Sequence, residues 1–138
     1  MRLFLDTSVL LAAAGSATGA SRAIFEYARA QGWRLIASSY VTGEVVRNLR
    51  KLPASATAEW VKLRRALTVV DDVVTLDRIV IFPAGKDRPV LLTAFASSQV
   101  LLTLDRADFA GFLGHHFYGM PILTPLEFLE AERRANRL

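Results

Sequence analysis

Short apolar segments alternate with longer amphipathic segments along this 138-residue chain, and this alternation restricts the fold more than any other feature. The apolar segments have the length of buried strands, and the longer segments carry apolar residues at helical spacing. Strands that alternate with helices usually form a parallel sheet covered by those helices. The sequence therefore predicts an α/β fold with a central, mostly parallel sheet of about five strands.

Turn and cap residues set the limits of these elements: Gly32 ends one helix, and Pro53 lies just after the end of another. The predicted strands are Leu3–Leu5, Trp33–Ala37, Ile79–Phe82, Val100–Thr103 and Pro121–Leu123. The interval from Val69 to the third strand is predicted as a short helix or turn. The predicted helices are Ser21–Gln31, Tyr40–Leu52 with Ser39 as N-cap, Ala54–Leu67, one that Asp87 opens with Pro89 in its first turn, and one from Pro125 that ends in Arg133, Arg134 and Arg137. No repeat or linker interrupts the chain, so we expect one domain over residues 1–138.

Two carboxylates follow buried strands directly, where an ionised group is costly. Asp6 ends the first strand in LFLDTSVLL, and Asp105 follows the strand in LLTLDRADF after one residue. A buried carboxylate costs several kcal/mol unless it is paired or binds a metal, and neither segment places a basic residue inside its strand. Ligands of parallel sheets bind at the carboxyl ends of the strands. Glu44, one turn into its helix, and Asp87, at the start of the next, can reach the same edge.

These acids predict a pocket that binds a hard cation through oxygen ligands. The chain has no cysteine, and its two histidines, His115 and His116, are adjacent, which favours a loop or helix surface over a zinc site. Mg²⁺ or Mn²⁺ is therefore the expected ion. Other interpretations remain open at this point: Asp87 can cap its helix and Glu44 can complement the helix dipole. Three further acids are interpreted as turn or surface residues: Asp71, Asp72 and Asp77.

The composition agrees with a folded protein that acts on an anionic partner. Hydrophobic residues make up 52% of the chain and charged residues 22%, which excludes a disordered protein. The net charge is +4, and an acidic pocket would leave the remaining surface more basic still. Asp6 interrupts the first apolar run, and no other run is long enough to span a bilayer. We expect a cytoplasmic protein without a membrane anchor.

Taken together, these residues resemble the PIN domain family, the fold of many VapC-type toxins and other ribonucleases. LFLDTSVLL resembles the opening strand with its first acid, and SSYVTGEVVRNL resembles the second block with Glu44. GKDRPVLLTAFASSQVLLTLDRADF resembles the third and fourth blocks, which contain Asp87 and Asp105. The resemblance implies a three-layer α/β/α fold and covers nearly the whole chain, although the segment from Val69 to Gly85 fits the pattern poorly.

The resemblance also implies a function: an endoribonuclease in which Asp6, Glu44, Asp87 and Asp105 bind Mg²⁺ or Mn²⁺. Candidates that orient a carboxylate or a metal-bound water are Ser8 and Thr103, although local turn and cap hydrogen bonds would explain them equally well. Candidates that hold substrate phosphates are Arg47, Arg88 and Arg106, with solvated helix-face residues as the alternative.

The family resemblance further suggests a toxin that acts with an antitoxin protein, and a homodimer. Two other classes remain open. One is a PIN fold kept as a binding module without turnover. The other is a Mg²⁺-dependent phosphoryl-transfer or receiver-type protein, although Asp6-Thr7-Ser8 lacks the second acid that such proteins use.

Overall fold

The computed structural model describes residues 1–73, 88–105 and 116–138. The strands among these residues are β1 (Arg2–Leu5), β2 (Arg34–Ser38), β3 (Leu67–Val70), β4 (Val100–Leu102), β5 (His116–Phe117) and β6 (Met120–Leu123). The helices are α1 (Thr7–Gly15), α2 (Ala20–Gln31), α3 (Ser39–Asn48), α4 (Ser55–Arg64), α5 (Arg88–Ser97) and α6 (Pro125–Arg134), with a 3₁₀ turn at Leu49–Lys51 after α3.

The six strands form one sheet in the order β3-β2-β1-β4-β6-β5. All neighbours pair in parallel except β5 and β6, which are antiparallel. The central strands β1 and β4 are apolar and buried apart from the exposed Arg2 at the start of β1, as expected for strands that helices cover on both faces. The carboxyl ends of β1, β2 and β4 therefore lie side by side at one edge of the sheet, which we call the carboxyl edge.

Helix α1 begins at this edge and was absent from the sequence prediction. Its sequence, TSVLLAAAG, is apolar on nearly every side, so no amphipathic period marks it as a helix. The helix contacts α2, α3 and α4, and Val9, Leu10 and Ala13 are completely buried. A helix that is surrounded by others needs no polar face, which explains why the sequence pattern did not reveal it.

Several predicted boundaries were confirmed and others need correction. Gly32 ends α2 in the left-handed conformation, with φ of 69°, and Pro125 opens α6 as predicted. The N-cap of α3 is Ser38 rather than Ser39, because the Ser38 hydroxyl accepts the Val41 N–H at 3.2 Å. Six strands lie among the described residues rather than about five. Strand β3 begins at Leu67, the predicted end of a helix, and continues into the interval predicted as a short helix or turn, and the two-residue strand β5 pairs with β6. The predicted strand Ile79–Phe82 lies outside the described residues.

No helix among the described residues is both long enough and apolar enough to cross a membrane.

Candidate active site

Asp6 lies at the carboxyl edge, between the end of β1 and the first turn of α1. Its backbone N–H donates to the Leu102 carbonyl oxygen at 3.0 Å, which extends the pairing of β1 with β4 by one residue. Its own carbonyl oxygen accepts the N–H groups of Val9 and Leu10 and so starts the helix. The residue is only 7% exposed. The strand and the helix thus fix the backbone of Asp6 from both directions.

Hydroxyl groups are the partners of this buried carboxylate. The Thr103 hydroxyl donates to Asp6 Oδ2 at 2.8 Å and the Ser8 hydroxyl at 3.3 Å. Burial raises the pKa of Asp6 from 3.8 to about 6, although hydrogen bonds from Thr103, the Thr7 backbone and Ser8 oppose this rise. Within the described residues, no Lys or Arg forms an ion pair with Asp6. These neutral donors only partly compensate for the hydration that the Asp6 carboxylate loses on burial.

The same two hydroxyls shape the chain that leads to Asp105. Ser8 Oγ accepts the Leu104 N–H, and Thr103 Oγ1 accepts the Asp105 N–H, each at 3.0 Å. Asp105 is half-buried, and its charge contributes to the raised pKa of Asp6. Ser8 and Thr103 therefore bond to the carboxylate and also make the local turn bonds that the sequence left as the alternative.

Glu44 reaches the carboxyl edge from the second turn of α3. Its Oε1 accepts the Thr7 hydroxyl at 3.4 Å, and its charge acts on the Tyr40 hydroxyl. Burial, and next the negative charge of Glu44, raise the pKa of Tyr40 above its ordinary value, and the charge of Asp6 acts in the same direction. Thr7 thus links the second acid to the first, since it directly follows Asp6 in the chain.

The structure describes the remaining predicted site residues to different extents. Arg47 is exposed on α3. Its guanidinium lies over Gly43, and a Cβ atom on Gly43 would be 3.3 Å from the terminal guanidinium nitrogen. Asp87 and Arg106 lie outside the described residues, and only the backbone of Arg88 is described. In the described part of the chain, no three His, Asp or Glu side chains form a group that could hold a metal ion. The convergence of all four acids therefore remains a prediction.

The chemistry of the donor set fits a hard divalent cation. The carboxylate of Asp6 is buried among hydroxyls, and a second acid, Asp105, is close enough to raise its pKa. Oxygen ligands of this kind suit Mg²⁺ and Mn²⁺, and a bound cation would offset the cost of both charges. A cationic side chain would offset the cost of the Asp6 charge too, but none of the described residues forms an ion pair with Asp6.

Three residues of this edge were missed as site residues by the sequence analysis. Thr7 donates to Glu44, and the charge of Glu44 raises the pKa of Tyr40. Asp72, interpreted as a turn or surface residue, accepts the Tyr40 backbone N–H. Tyr40 lies four residues before Glu44, and side chains at this spacing are neighbours on a helix. That spacing was a usable signal. The contact from Asp72 joins residues 32 positions apart, and no local pattern indicates it.

Two solved structures have a similar fold. One is VapBC2 from Rickettsia felis bound to a DNA fragment from its promoter, with a TM-score of 0.62 and 14% identity over 88% of this chain and 97% of that one. The other is PAE2754 from Pyrobaculum aerophilum, with a TM-score of 0.63 and 20% identity over 98% of this chain and 90% of that one. No curated protein matches the sequence.

The family model of the PIN domain matches residues 2–107, which include β1, Glu44 and Asp105. This match covers more than half of the chain and agrees with the parallel sheet and its strand-end acids. The resemblance drawn from the sequence motifs is thereby confirmed, and the chain belongs to the PIN domain family.

Proposed function

We propose that this protein is a metal-dependent endoribonuclease that hydrolyses RNA phosphodiester bonds with Mg²⁺ or Mn²⁺. PIN domains are generally nucleases, and the match covers the strand-end acids of this chain. The observation that carries the proposal is the buried Asp6 carboxylate, which hydroxyls hold and which no cation of the described residues neutralises. Such a group is costly in a purely structural role and useful in a site that binds a metal.

Asp6, Glu44 and Asp105 would hold the ion, and the family pattern adds Asp87. A divalent cation in such a site lowers the pKa of a bound water and neutralises charge on the phosphate. Of the chain's own groups, Thr103 and Ser8 fix the rotamer of the Asp6 carboxylate through hydrogen bonds to one oxygen, Oδ2. Their donation also favours the ionised form of this acid, which is the form that binds a cation.

Basic side chains around this edge are the proposed contacts of the substrate backbone. Arg47 is exposed on α3, one turn beyond Glu44, where its guanidinium can bind a phosphate in solution. By their places in the sequence, Arg88 and Arg106 each follow an acid of the family pattern, Asp87 and Asp105. RNA would thus be held through its phosphates, while the acids bind the cation at the bond that is cut.

We also propose that the protein is the toxin of a toxin–antitoxin pair. The support is its fold, which is similar to that of the VapBC2 structure over 97% of that chain. An antitoxin segment that carries a basic side chain could neutralise the acids of the carboxyl edge and block access for RNA. Co-expression with the protein encoded beside its gene tests this role, since a stable complex without nuclease activity is expected.

The test of the nuclease is cleavage of a mixed pool of single-stranded RNA in Mg²⁺, in Mn²⁺ and in EDTA. We expect cleavage with either ion and none in EDTA. Asp6→Asn keeps the shape of the side chain but removes its charge. It should lower the rate by more than about 100-fold, because losing a group that only supports a metal ligand already costs roughly 10- to 100-fold.

The matched control is Glu130→Gln, which removes one negative charge from an exposed position of α6 and should leave the rate unchanged. Equal cleavage by the wild type and Asp6→Asn would indicate a contaminating nuclease. RNA binding without cleavage by the wild type would instead favour a PIN fold that serves only as a binding module.

A further inference from the structure

Tyr40 is a large aromatic residue at the carboxyl edge that does not pack in the hydrophobic core. It is 39% exposed, and it is neither a member of the buried core cluster nor one of the side chains packed against it. It is the second residue of α3, directly after the carboxyl end of β2. Strand β1, which pairs with β2, is followed directly by Asp6. An exposed ring at this place is therefore beside the acids and open to a ligand.

A contact from a distant part of the chain holds the backbone of Tyr40 in place. Its N–H donates to both carboxylate oxygens of Asp72, at 3.0 and 3.3 Å. The residue itself is 39% exposed, and the charge of Glu44, one turn later in the helix, acts on its hydroxyl. The side chain thus starts from a fixed point and leaves ring surface open to a ligand.

The Asp72 contact is part of a strap across the carboxyl edge. Asp72 and Val73 follow β3, and the Val73 N–H donates to the hydroxyl of Thr93, a completely buried residue of α5. The strap ties the start of α3 to α5 and gives the second helical N–H of α3 an acceptor, as Ser38 does for the third. The start of α3, and with it Tyr40, is held in place before any substrate arrives.

We infer that Tyr40 forms a stacking wall for an unpaired nucleobase of the substrate, next to the phosphate that the acids engage. This inference rests on the proposed nuclease function. Single-stranded nucleic acids bind through a basic groove for the backbone and aromatic rings for the bases, and every base has a face that stacks. The ring supplies the aromatic part of this pattern, and Arg47, whose charge acts on Tyr40, supplies the basic part. A ring whose backbone is already held loses less freedom on stacking, so it suits this use.

The test compares the wild type with Tyr40→Ala and Tyr40→Phe on a short single-stranded RNA that is cut once. Tyr40→Ala should raise KM by about tenfold, in the range of alanine substitutions of stacking residues, and change kcat less. Tyr40→Phe keeps the ring and should keep KM near the wild-type value. Tyr118→Ala is the matched control, because Tyr118 is 52% exposed but precedes β6 at the opposite edge of the sheet.

The decisive substrate is the same RNA with an abasic ribose at each position around the cut. At the position whose base stacks on Tyr40, removal of the base should weaken binding by the wild type about as much as Tyr40→Ala weakens binding of the intact RNA. Removal of that base should not weaken binding by Tyr40→Ala any further, since both changes remove the same contact. A penalty for Tyr40→Ala that is the same on intact and abasic RNA at every position would overturn the inference. Melting curves of all variants show that each is folded.

These outcomes separate this inference from the proposed function. If the wild type cuts RNA and Tyr40→Ala has the same KM, the stacking wall is wrong and the nuclease stands. If the wild type neither cuts nor binds RNA, the nuclease is wrong and the stacking wall is wrong with it. If the wild type binds RNA without cutting, the same abasic series measured by fluorescence anisotropy decides the role of Tyr40 from Kd.

Discussion

Two carboxylates of this protein are buried almost equally and are stabilised in different ways. Glu132 in α6 is 3% exposed, and both of its oxygens bond to the Arg137 guanidinium at 2.7 Å. Asp6 is 7% exposed and bonds to the hydroxyls of Thr103 and Ser8. The hydrogen bond with Arg137 lowers the pKa of Glu132, whereas burial raises the pKa of Asp6 to about 6.

Under the proposed function, the difference separates a charge that stabilises the fold from one that would bind a cation. Glu132 and Arg137 are only five residues apart, so the cation that neutralises Glu132 comes from the segment that follows α6. Asp6 receives its shortest hydrogen bond from Thr103, 97 residues away, and this donor is neutral. A neutral donor orients a carboxylate without using up its charge, and that charge remains available for a cation.

The pH dependence of stability should show this difference most strongly. The folded-state pKa of Asp6 is raised, so the folded protein binds this proton more tightly than the unfolded chain does. Its contribution to stability is present below about pH 4 and lost as the pH rises through about 6. In EDTA, the free energy of unfolding should therefore fall by roughly 2 kcal/mol between pH 4 and pH 6, as measured by urea denaturation.

Asp6→Asn is the control for this pH profile, and the fall between pH 4 and about 6 should disappear in that variant. Glu132 has the opposite sign: its lowered pKa gives stability that is present above its ordinary pKa of 4.5 and lost as the pH falls further. Persistence of the same fall in Asp6→Asn would assign it to another group and remove the contrast between the two acids.

The hydroxyl of Thr103 is the next point at which the contrast can be tested. Thr103→Val keeps the shape of this buried side chain but removes the donor to Asp6 Oδ2 and the acceptor of the Asp105 N–H. We expect the Mn²⁺ concentration that raises the melting temperature halfway to increase by about 10- to 100-fold, since partners of metal ligands have effects of this size. Thr103→Ser keeps the hydroxyl and should lie close to the wild type. An unchanged Mn²⁺ response in Thr103→Val would mean that this hydroxyl serves only the local turn.

Much of the fold could be predicted from the sequence, because its central strands and amphipathic helices carry clear local signals. Gly32 and Pro125 marked helix ends where the structure has them. The failures have physical causes. Helix α1 is apolar on nearly all sides, and β5 has only two residues and depends on pairing with β6. Local patterns carry no information of that kind.

The site could be predicted in part for similar reasons. Asp6 and Asp105 were found because an acid that follows a buried strand conflicts with its surroundings. Ser8 and Thr103 were named through the family resemblance, and both hydroxyls donate to Asp6 in the structure. Asp72 was not found, because its contact with Tyr40 exists only after β3 has paired beside β2. Contacts between elements follow from the fold, and sequence spacing indicates them only within one element.

The smallest expected effect concerns the paired acid. Glu132→Gln should lower the melting temperature by only a few degrees, because the Arg137 side chain is 58% exposed and water can solvate it when the ion pair is lost. Arg137→Gln should cost more, since it leaves the Glu132 carboxylate buried without a cation, which is the situation of Asp6. The pKa of Glu132 should then rise, and a new loss of stability with increasing pH should appear above its ordinary value, measurable by urea denaturation. Equal effects of the two substitutions, with no new pH dependence, would mean that counter-charge does not distinguish the two acids.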